Sequence, residues 1–172
     1  MVFTDMAPTR DPRYRLATTD DVPAMQSVVH ECWAADYPTV ISSEAIKDGL
    51  LEWYEEEHLR REIRSADAVV AVSETDDVLS GFAHAVLDGE EGTILRLYVL
   101  PRERRSGIGT DLVEFTVAEL EDRGVDRVFA LALARNDVAA EFYGATGFER
   151  IRTEKTTIAG ERYDELVFER PI

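Results

Sequence analysis

Hydrophobic positions in the first third of the chain recur mostly at helical spacing. A short alternating stretch, residues 14–17, first predicts a strand. Apolar residues three and four apart then predict a helix over residues 22–34. A second helix is expected from about residue 42 to residue 63, with a break near Gly49. Its other face is heavily charged and is expected to be solvated.

The rest of the chain consists of short apolar runs separated by turns, together with two more helical patterns. One helix follows a glycine-rich turn and ends at Arg123 and Gly124, and a short helix covers residues 137–145. Since a strand–helix–strand crossover is right-handed, the strands on either side of the longer helix are expected to be parallel and close together. Strands are predicted at residues 69–72, 78–87, 94–100, 128–133, 151–158 and 162–170.

Length and composition favour one globular domain. The chain has 172 residues, of which 45% are hydrophobic, so we expect a single domain over residues 1–172 with residues 1–12 as a loose arm. No apolar run approaches the roughly 18 residues of a membrane span, and residues 1–12 lack the apolar core of a signal peptide. A soluble, cytoplasmic protein is therefore predicted.

The formal net charge of −16 narrows the range of partners. Lys47 and Lys155 are the only lysines, and acidic pairs occur along the whole length. Such a charge argues against nucleic acid, whose binding depends on neutralising phosphates, and it could steer a cationic substrate. We prefer the hypothesis of a halophilic protein, because concentrated salt screens the repulsion within a dispersed acidic surface.

A basic, glycine-rich turn between a strand and a helix is the first candidate binding site. It reads Arg104-Arg105-Ser106-Gly107-Ile108-Gly109-Thr110. Unpaired N–H groups at a helix N-terminus attract phosphate, and glycine lets the phosphate approach the backbone. A Walker loop needs a lysine that is missing here, and a dinucleotide fingerprint needs glycine where Leu112 stands. An ordinary arginine-rich loop before a helix is the alternative.

Two motifs together carry a resemblance to a known family. The turn fits the pattern R/Q-x-x-G-x-G/A and follows a strand that ends Val99-Leu100-Pro101. Residues 136–148 then show asparagine, small residues, Phe142-Tyr143 and a Gly-Phe pair in order. This arrangement resembles the coenzyme A motif of the GNAT superfamily of N-acetyltransferases. The resemblance spans about residues 14–168 by element order, and it is sharp over residues 95–110 and 136–148.

The resemblance implies a fold and an activity. The expected fold is α/β (α+β), with a GNAT-like mixed, mostly antiparallel, twisted sheet of about seven strands, helices on both faces and the order β-α-α-β-β-β-α-β-α-β-β. The expected enzyme moves an acetyl group from acetyl-CoA, its co-substrate, to a primary amine by direct attack in a ternary complex, without a metal. A non-catalytic acyl-CoA sensor of the same fold is the alternative, and an acidic interaction protein is a second one. Cys32, the single cysteine, is expected in the core.

Roles for individual residues also follow from the resemblance. Tyr143 would be the general acid beside the coenzyme sulfur, or else a core aromatic residue. Asn136 would bind the pantetheine arm, or act as a plain helix cap, or do both. The coenzyme-binding residues would be the backbone of Leu97, Tyr98 and Val99 along the pantetheine, and Arg104, Arg105, Ser106, Gly107, Ile108, Gly109 and Thr110 around the pyrophosphate.

The general base and the acceptor stay open at this stage. Several family members have a glutamate in the fifth strand where this chain has Leu131. His84, Glu31, Asp36 and Glu90 are candidates by location only. Without a strong base, an α-amine or another low-pKa amine is the easier acceptor, because more of it is neutral at pH 7.

The acceptor is expected to be a small-molecule or peptide amine, with neither nucleic acid nor membrane as a partner. A homodimer is a further alternative. Trp33, Tyr37 and Trp53 would line the acceptor pocket or pack in the core.

Overall fold

A computed structural model describes residues 11–172. The predicted loose arm falls on residues 1–12, of which residues 1–10 lie outside the described part. Within that part, no helix has the length and apolar character needed to cross a membrane. The elements are β1 (Arg13–Leu16), α1 (Val22–Asp36), α2 (Ser43–Trp53), α3 (Glu56–Arg64), β2 (Ala68–Thr75), β3 (Val78–Asp88), β4 (Glu91–Val99), α4 (Ile108–Asp122), β5 (Arg127–Leu133), α5 (Asp137–Ala145), β6 (Glu149–Ile158) and β7 (Glu161–Pro171).

The strands form one seven-stranded sheet in the order β1-β2-β3-β4-β5-β7-β6. Only β4 and β5 are parallel, and they are joined through α4 by the predicted crossover. All other neighbours are antiparallel. The predicted fold class, with a mostly antiparallel sheet of seven strands, is therefore confirmed.

The region before β2 holds three helices rather than the two predicted. The second predicted helix is interrupted at Tyr54, which closes α2 by donating from its backbone to Leu50, and α3 begins after Glu55. The break predicted near Gly49 is wrong, because Gly49 lies inside α2. A Cβ at Gly49 would stand 3.0 Å from the Trp33 ring, so the glycine permits close packing of α2 on α1.

The sheet separates two layers of core. One layer packs α1, α2 and α3 on one face, around Trp33, Met25 and Phe82. The other layer packs α4 and α5 on the opposite face, around Val113, Leu120 and Ile94. Cys32 is fully buried in the first layer, as predicted. Because both faces are covered, a ligand can reach the centre of the sheet only where two strands separate.

Candidate active site

The two parallel strands separate halfway along their length. Glu91–Ile94 of β4 pair with Arg127–Ala130 of β5, and the ladder ends there. The register of β4 against β3 shifts between His84 and Ala85, which leaves Leu95 as an extra residue in β4. Beyond this bulge β4 continues along β3, whereas β5 continues along β7. The separation opens a cavity of about 590 Å³ between the strands.

Alternation along β4 decides which backbone groups face this opening. The Leu100 N–H donates to the Ser80 carbonyl at 2.8 Å, so Leu100 and Ser80 form a hydrogen-bonded antiparallel pair. Tyr98, two residues earlier, therefore directs its N–H and carbonyl at β3. Leu97 and Val99 direct theirs toward the opening. The predicted pairing of the coenzyme with the Tyr98 backbone does not fit this geometry, whereas both backbone groups of Leu97 and the N–H of Val99 face the opening.

The glycine-rich turn lies at one end of the opening and begins α4. Gly107 is the N-cap residue with φ of 90°, and Arg105 also has a positive φ of 61°. A Cβ at Gly107 would have no atom within 4 Å, so the space above this glycine is open. In the part of the chain that the structure describes, no side chain caps α4. The first N–H groups of the helix therefore point into free space with the positive end of the helix dipole.

The side chains of the glycine-rich turn differ in their hydrogen-bond partners and in their exposure. Arg104 lines the cavity, but its guanidinium binds Asp36 and its Nε donates to the Val99 carbonyl at 2.9 Å. Arg105 is exposed and lines the cavity. Ser106 donates to the Glu103 carbonyl at 2.6 Å, Ile108 is buried, and Thr110 lines the cavity.

Gly109 brings α4 close to α5. A Cβ at this position would be 3.1 Å from Cε2 of Phe142 and 3.7 Å from a methyl group of Val99. Gly109 and Phe142 both line the cavity. The second glycine of the motif thus gives room for the Phe142 ring, which forms part of the wall.

Helix α5 supplies the two predicted polar residues. The side-chain oxygen of Asn136 accepts from the Ala139 N–H at 3.2 Å, so Asn136 caps α5, and it also lines the cavity. Tyr143 is buried at 3% exposure and packs against Phe142, Phe148 and Phe168. Its hydroxyl forms no hydrogen bond within residues 11–172, and Tyr143 is part of the cavity wall. Burial, and to a smaller extent Tyr98, raises the pKa of Tyr143 well above 10, which keeps the phenol protonated.

Aromatic side chains from α1 and α2 close the opposite side. Trp33, Tyr37 and Trp53 all line the cavity, and Trp33 is also almost fully buried in the core. The Tyr98 hydroxyl joins the group, because it accepts from Trp33 Nε1 at 2.9 Å and lies 2.6 Å from the Tyr54 hydroxyl. Tyr98 therefore contributes to the site through its side chain.

The carboxylates and the histidine considered as bases lie elsewhere or are occupied. His84 is buried between Glu62 and Arg96, and burial together with Arg96 lowers its pKa to about 4. Glu31 forms an exposed pair with Arg102. Asp36 reaches the cavity but is bound to Arg104, and Glu90 stands in the exposed turn before β4.

Three charged residues that the sequence analysis missed line the cavity, and one of them is Glu141 on α5, which is exposed. Arg96 on β4 extends toward the aromatic group, and Glu165 on β7 lies on the opposite wall. Burial, with a smaller effect of Glu154, raises the pKa of the Glu165 carboxyl. Glu165 is opposite Leu133 in the sheet, and Leu133 belongs to the same core layer as Tyr98. Alternation of side chains on β4 could have indicated Arg96, but Glu165 lies far from both motifs.

Comparison with known proteins identifies the family. The sequence profile of the Acetyltransferase (GNAT) family matches residues 27–148. The chain belongs to the GNAT family of acetyltransferases. The spermidine N(1)-acetyltransferase of Thermoplasma acidophilum is 25% identical over 139 residues, which cover 78% of this chain and 86% of that relative. The ribosomal protein bS18-alanine N-acetyltransferase of Salmonella typhimurium is 31% identical over 99 residues, or 56% of this chain and 67% of that relative.

Solved structures of GNAT proteins have the same fold. The PaiA N-acetyltransferase of Thermoplasma acidophilum in complex with coenzyme A gives a TM-score of 0.84 at 23% identity and covers 95% of this chain and 100% of that chain. The ribosomal-protein-alanine N-acetyltransferase of Brucella melitensis gives a TM-score of 0.71 at 25% identity. The match covers 93% of this chain and 99% of that chain.

Membership makes this GNAT chain an N-acetyltransferase enzyme that depends on acetyl-CoA, rather than a non-catalytic sensor. Over residues 11–172, no three or more histidine, cysteine, aspartate or glutamate side chains are grouped to hold a metal ion.

Proposed function

We propose that this GNAT enzyme transfers the acetyl group of acetyl-CoA directly to a primary amine while both substrates are bound. The observation that carries the proposal is the opening between β4 and β5. Among residues 11–172, no side chain caps the start of α4 at one end of the opening, and Tyr143, whose hydroxyl has no hydrogen-bond partner there, lies in its wall. The relatives named above act on spermidine and on a ribosomal-protein alanine, which supports an amine acceptor here.

The coenzyme binds along the exposed edge of β4. The N–H and carbonyl groups of Leu97 pair with the amides of the pantetheine arm, as an added strand pairs with a sheet edge. The Val99 carbonyl already accepts from Arg104 and Cys32, so Val99 has its N–H to offer. Asn136 contributes its side-chain NH₂, because its oxygen is already used in the helix cap. The pyrophosphate lies at the turn, where the N–H groups of residues 107–110 and the Arg105 side chain face it.

Tyr143 acts as the general acid. A phenol of pKa about 10 gives its proton to a thiolate of pKa about 8.5 at an uphill difference of roughly 2 kcal/mol. Burial raises the pKa of Tyr143, but burial also raises that of a thiolate formed beside it, so the two pKa values shift in the same direction. The Val99 N–H can meanwhile stabilise the negative charge that develops on the thioester oxygen.

Glu165 takes the place of the missing glutamate at Leu131 as the proton acceptor. Within residues 11–172, the cavity wall holds two carboxylates without a salt bridge, Glu141 and Glu165, in contrast to Asp36. Glu141 is exposed, whereas Glu165 is half-buried. Its raised pKa brings it closer to that of an amine, which favours proton transfer. It stands on the acceptor face of the sheet rather than on the α5 face.

The reaction balances with these groups. The bound ammonium gives one proton to Glu165, and the nitrogen lone pair then attacks the thioester carbon. A C–N bond forms and the C–S bond breaks. The thiolate takes the proton of Tyr143, and the second proton of the nitrogen restores the phenol through water. The products are the amide, the free thiol of the coenzyme and one proton released from Glu165.

An acyl-enzyme intermediate is not part of the proposal. Cys32 donates from Sγ to the Val99 carbonyl at 3.4 Å and is fully buried. Burial raises the pKa of this thiol to about 11, so little thiolate exists near neutral pH. Attack by the amine on acetyl-CoA itself is the remaining route.

The replacement Tyr143→Phe tests the proposal. We expect thiol release with acetyl-CoA and an amine to fall by about 10²- to 10⁴-fold, because the proton donor is lost. The affinity for acetyl-CoA, measured by calorimetry, should change less than about threefold. Tyr14→Phe is the matched control, since the Tyr14 hydroxyl bonds Asp111 away from the cavity. Unchanged turnover in Tyr143→Phe, or the absence of saturable acetyl-CoA binding in the unmodified enzyme, would contradict the proposal.

A further inference from the structure

Arg96 is held in a fixed orientation on the acceptor side of the cavity. Its Nη1 donates to Nδ1 of His84 at 2.9 Å, and Nε2 of His84 donates to Glu62 at 3.0 Å. The guanidinium carbon also lies 5.6 Å from the centre of the Trp53 ring and 5.3 Å from that of Tyr54. Neutral His84 accepts from Arg96, and its second nitrogen is fixed by Glu62. The direction of the guanidinium is therefore set by the fold.

Within the described part of the chain, the charge of Arg96 is not neutralised by a salt bridge to a carboxylate. Among residues 11–172, Arg96 takes part in no salt bridge, and the single hydrogen bond of its guanidinium is to His84. A guanidinium has five N–H donors in a planar fork, so most of its donors are free to bind another group. Planar forks of this kind bind carboxylate groups through two parallel hydrogen bonds. Arg96 thus offers a preformed place for an anion inside the cavity.

Glu165 stands across the same cavity from Arg96. β4 and β7 lie on either side of β5, which places two strands about 10 Å apart before the separation of β4 from β5 is added. Arg96 pairs with His84, and Glu165 pairs with Leu133, so both side chains project from the α1–α3 face of the sheet. Long side chains at this separation leave room for a small molecule between a cation and a carboxylate.

We propose that the acceptor is a free amino acid, whose carboxylate binds Arg96 while its amine faces Glu165. This rests on the proposed transfer of acetyl to an amine and names the class of that amine. The cavity of about 590 Å³ has to hold the end of the pantetheine as well, which favours a small molecule over a folded protein surface. The two charges of the acceptor then fix its orientation, with the amine directed toward the thioester.

The same geometry disfavours a polyamine. A second ammonium group near Arg96 would meet a cation of equal sign with few water molecules between them, and like charges at short range cost binding energy. The acidic surface attracts cations to the protein but does not remove this local repulsion. Spermidine, the acceptor in the name of one relative, is therefore expected to be a poor substrate here.

Matched pairs of acceptors test the proposed amino acid acceptor without any mutation. Each amino acid is compared with the amine that lacks only its carboxylate, such as arginine with agmatine, ornithine with putrescine and phenylalanine with phenethylamine. Thiol release from acetyl-CoA is measured for the unmodified enzyme. We expect at least one amino acid to exceed its partner amine in kcat/KM by roughly 10- to 100-fold, as a charged hydrogen-bonded pair provides. Equal or higher kcat/KM for the amines, or transfer confined to peptides, would overturn the proposal.

Arg96→Gln then assigns the preference to this residue. The glutamine keeps a donor for His84 but removes the charge. The ratio of kcat/KM between the amino acid and its partner amine should therefore fall to about 1. Arg96→Lys, which keeps the charge without the fork, should retain part of the preference. Arg60→Gln on the exposed surface of α3 is the control. If Arg96→Gln and Arg96→Lys each lowered kcat/KM equally for the amino acid and for its partner amine, the proposal would be overturned.

The outcomes separate this inference from the proposed function. Acetyl transfer to amines without any preference for a carboxylate would overturn the amino acid acceptor and leave the proposed function intact. Saturable binding of acetyl-CoA without transfer to any amine, amino acid or peptide would overturn both.

Discussion

The guanidinium of Arg104 binds the carboxylate of Asp36 through two hydrogen bonds, of 2.8 Å from Nη1 to Oδ1 and 2.7 Å from Nη2 to Oδ2. Asp36 is the last residue of α1, and Arg104 begins the glycine-rich turn. Both side chains are partly buried, at 27% exposure for Arg104 and 22% for Asp36. The pair therefore joins the C-terminal end of α1 to the glycine-rich turn.

The first prediction concerns the strength of this pair. A double-mutant cycle with Asp36→Asn and Arg104→Gln should give a coupling of about 1–2 kcal/mol in the free energy of unfolding, because two parallel charged hydrogen bonds are lost. The exposed pair of Glu31 and Arg102 is the control and should give less than about 1 kcal/mol. Urea denaturation measures both. A coupling no larger than that of the control would show that Asp36 and Arg104 do not stabilise the fold together.

The second prediction concerns the packing at Gly109. Gly109→Ala should weaken acetyl-CoA binding by roughly tenfold, because the new methyl group presses on the Phe142 ring that forms the cavity wall. Gly144→Ala is the matched control in α5, where a Cβ would have no atom within 4 Å. Calorimetric titration gives both affinities. If Gly109→Ala bound the coenzyme as tightly as Gly144→Ala, the close approach of α4 to α5 would not matter for binding.

A third prediction follows from the raised pKa of Glu165. Below this pKa the carboxyl is protonated and cannot accept a proton from the amine, so kcat/KM should fall as the pH is lowered through it. Glu165→Gln should have a lower kcat/KM and should lose this acidic limb. The pH profiles of the two proteins are compared at constant ionic strength. An identical acidic limb in Glu165→Gln would assign the ionisation to another group.

Salt dependence provides the fourth prediction. With a net charge of −16, repulsion between carboxylates weakens the folded state in dilute buffer, and added ions screen it. The melting temperature should rise steeply from dilute buffer to molar KCl. Sucrose, which stabilises proteins without screening charge, is the control. A melting curve unaffected by KCl would remove the hypothesis of a halophilic protein.

Local patterns in the sequence predicted the elements that carry the motifs. Helix α5 has the predicted bounds, because Asn136 caps it and Gly147, with a φ of 87°, follows it. The glycine-rich turn likewise begins α4 as predicted, since Gly107 adopts the positive φ that glycine tolerates. In both cases the residues that determine where the helix begins or ends lie within a few positions of it in the sequence. The break between α2 and α3 was misplaced because Gly49 serves packing against Trp33, which no local pattern reveals.

The parts of the site outside the two motifs are formed by contacts between residues that lie far apart in the sequence. Arg104 is predicted among the residues around the pyrophosphate, but the sequence does not reveal that its guanidinium binds Asp36, which lies far along the chain at the end of α1. The direction of the Tyr98 backbone depends on the register of β3 with β4. Glu165 enters the cavity because β7 pairs with β5, so the closing hairpin brings a carboxylate beside the opening. Long-range pairing of this kind cannot be deduced from spacing in one sequence.

The central claim is that the coenzyme occupies the gap between β4 and β5 and rests on the start of α4. Titration of the isotope-labelled protein with coenzyme A, followed through backbone amide resonances by nuclear magnetic resonance, tests it most directly. The amides of Leu97, Val99, Gly107 and Gly109 should shift together and saturate with one dissociation constant, while that of Gly160 in the turn between β6 and β7 stays unchanged. Saturable binding that leaves these four amides unaffected would contradict the account.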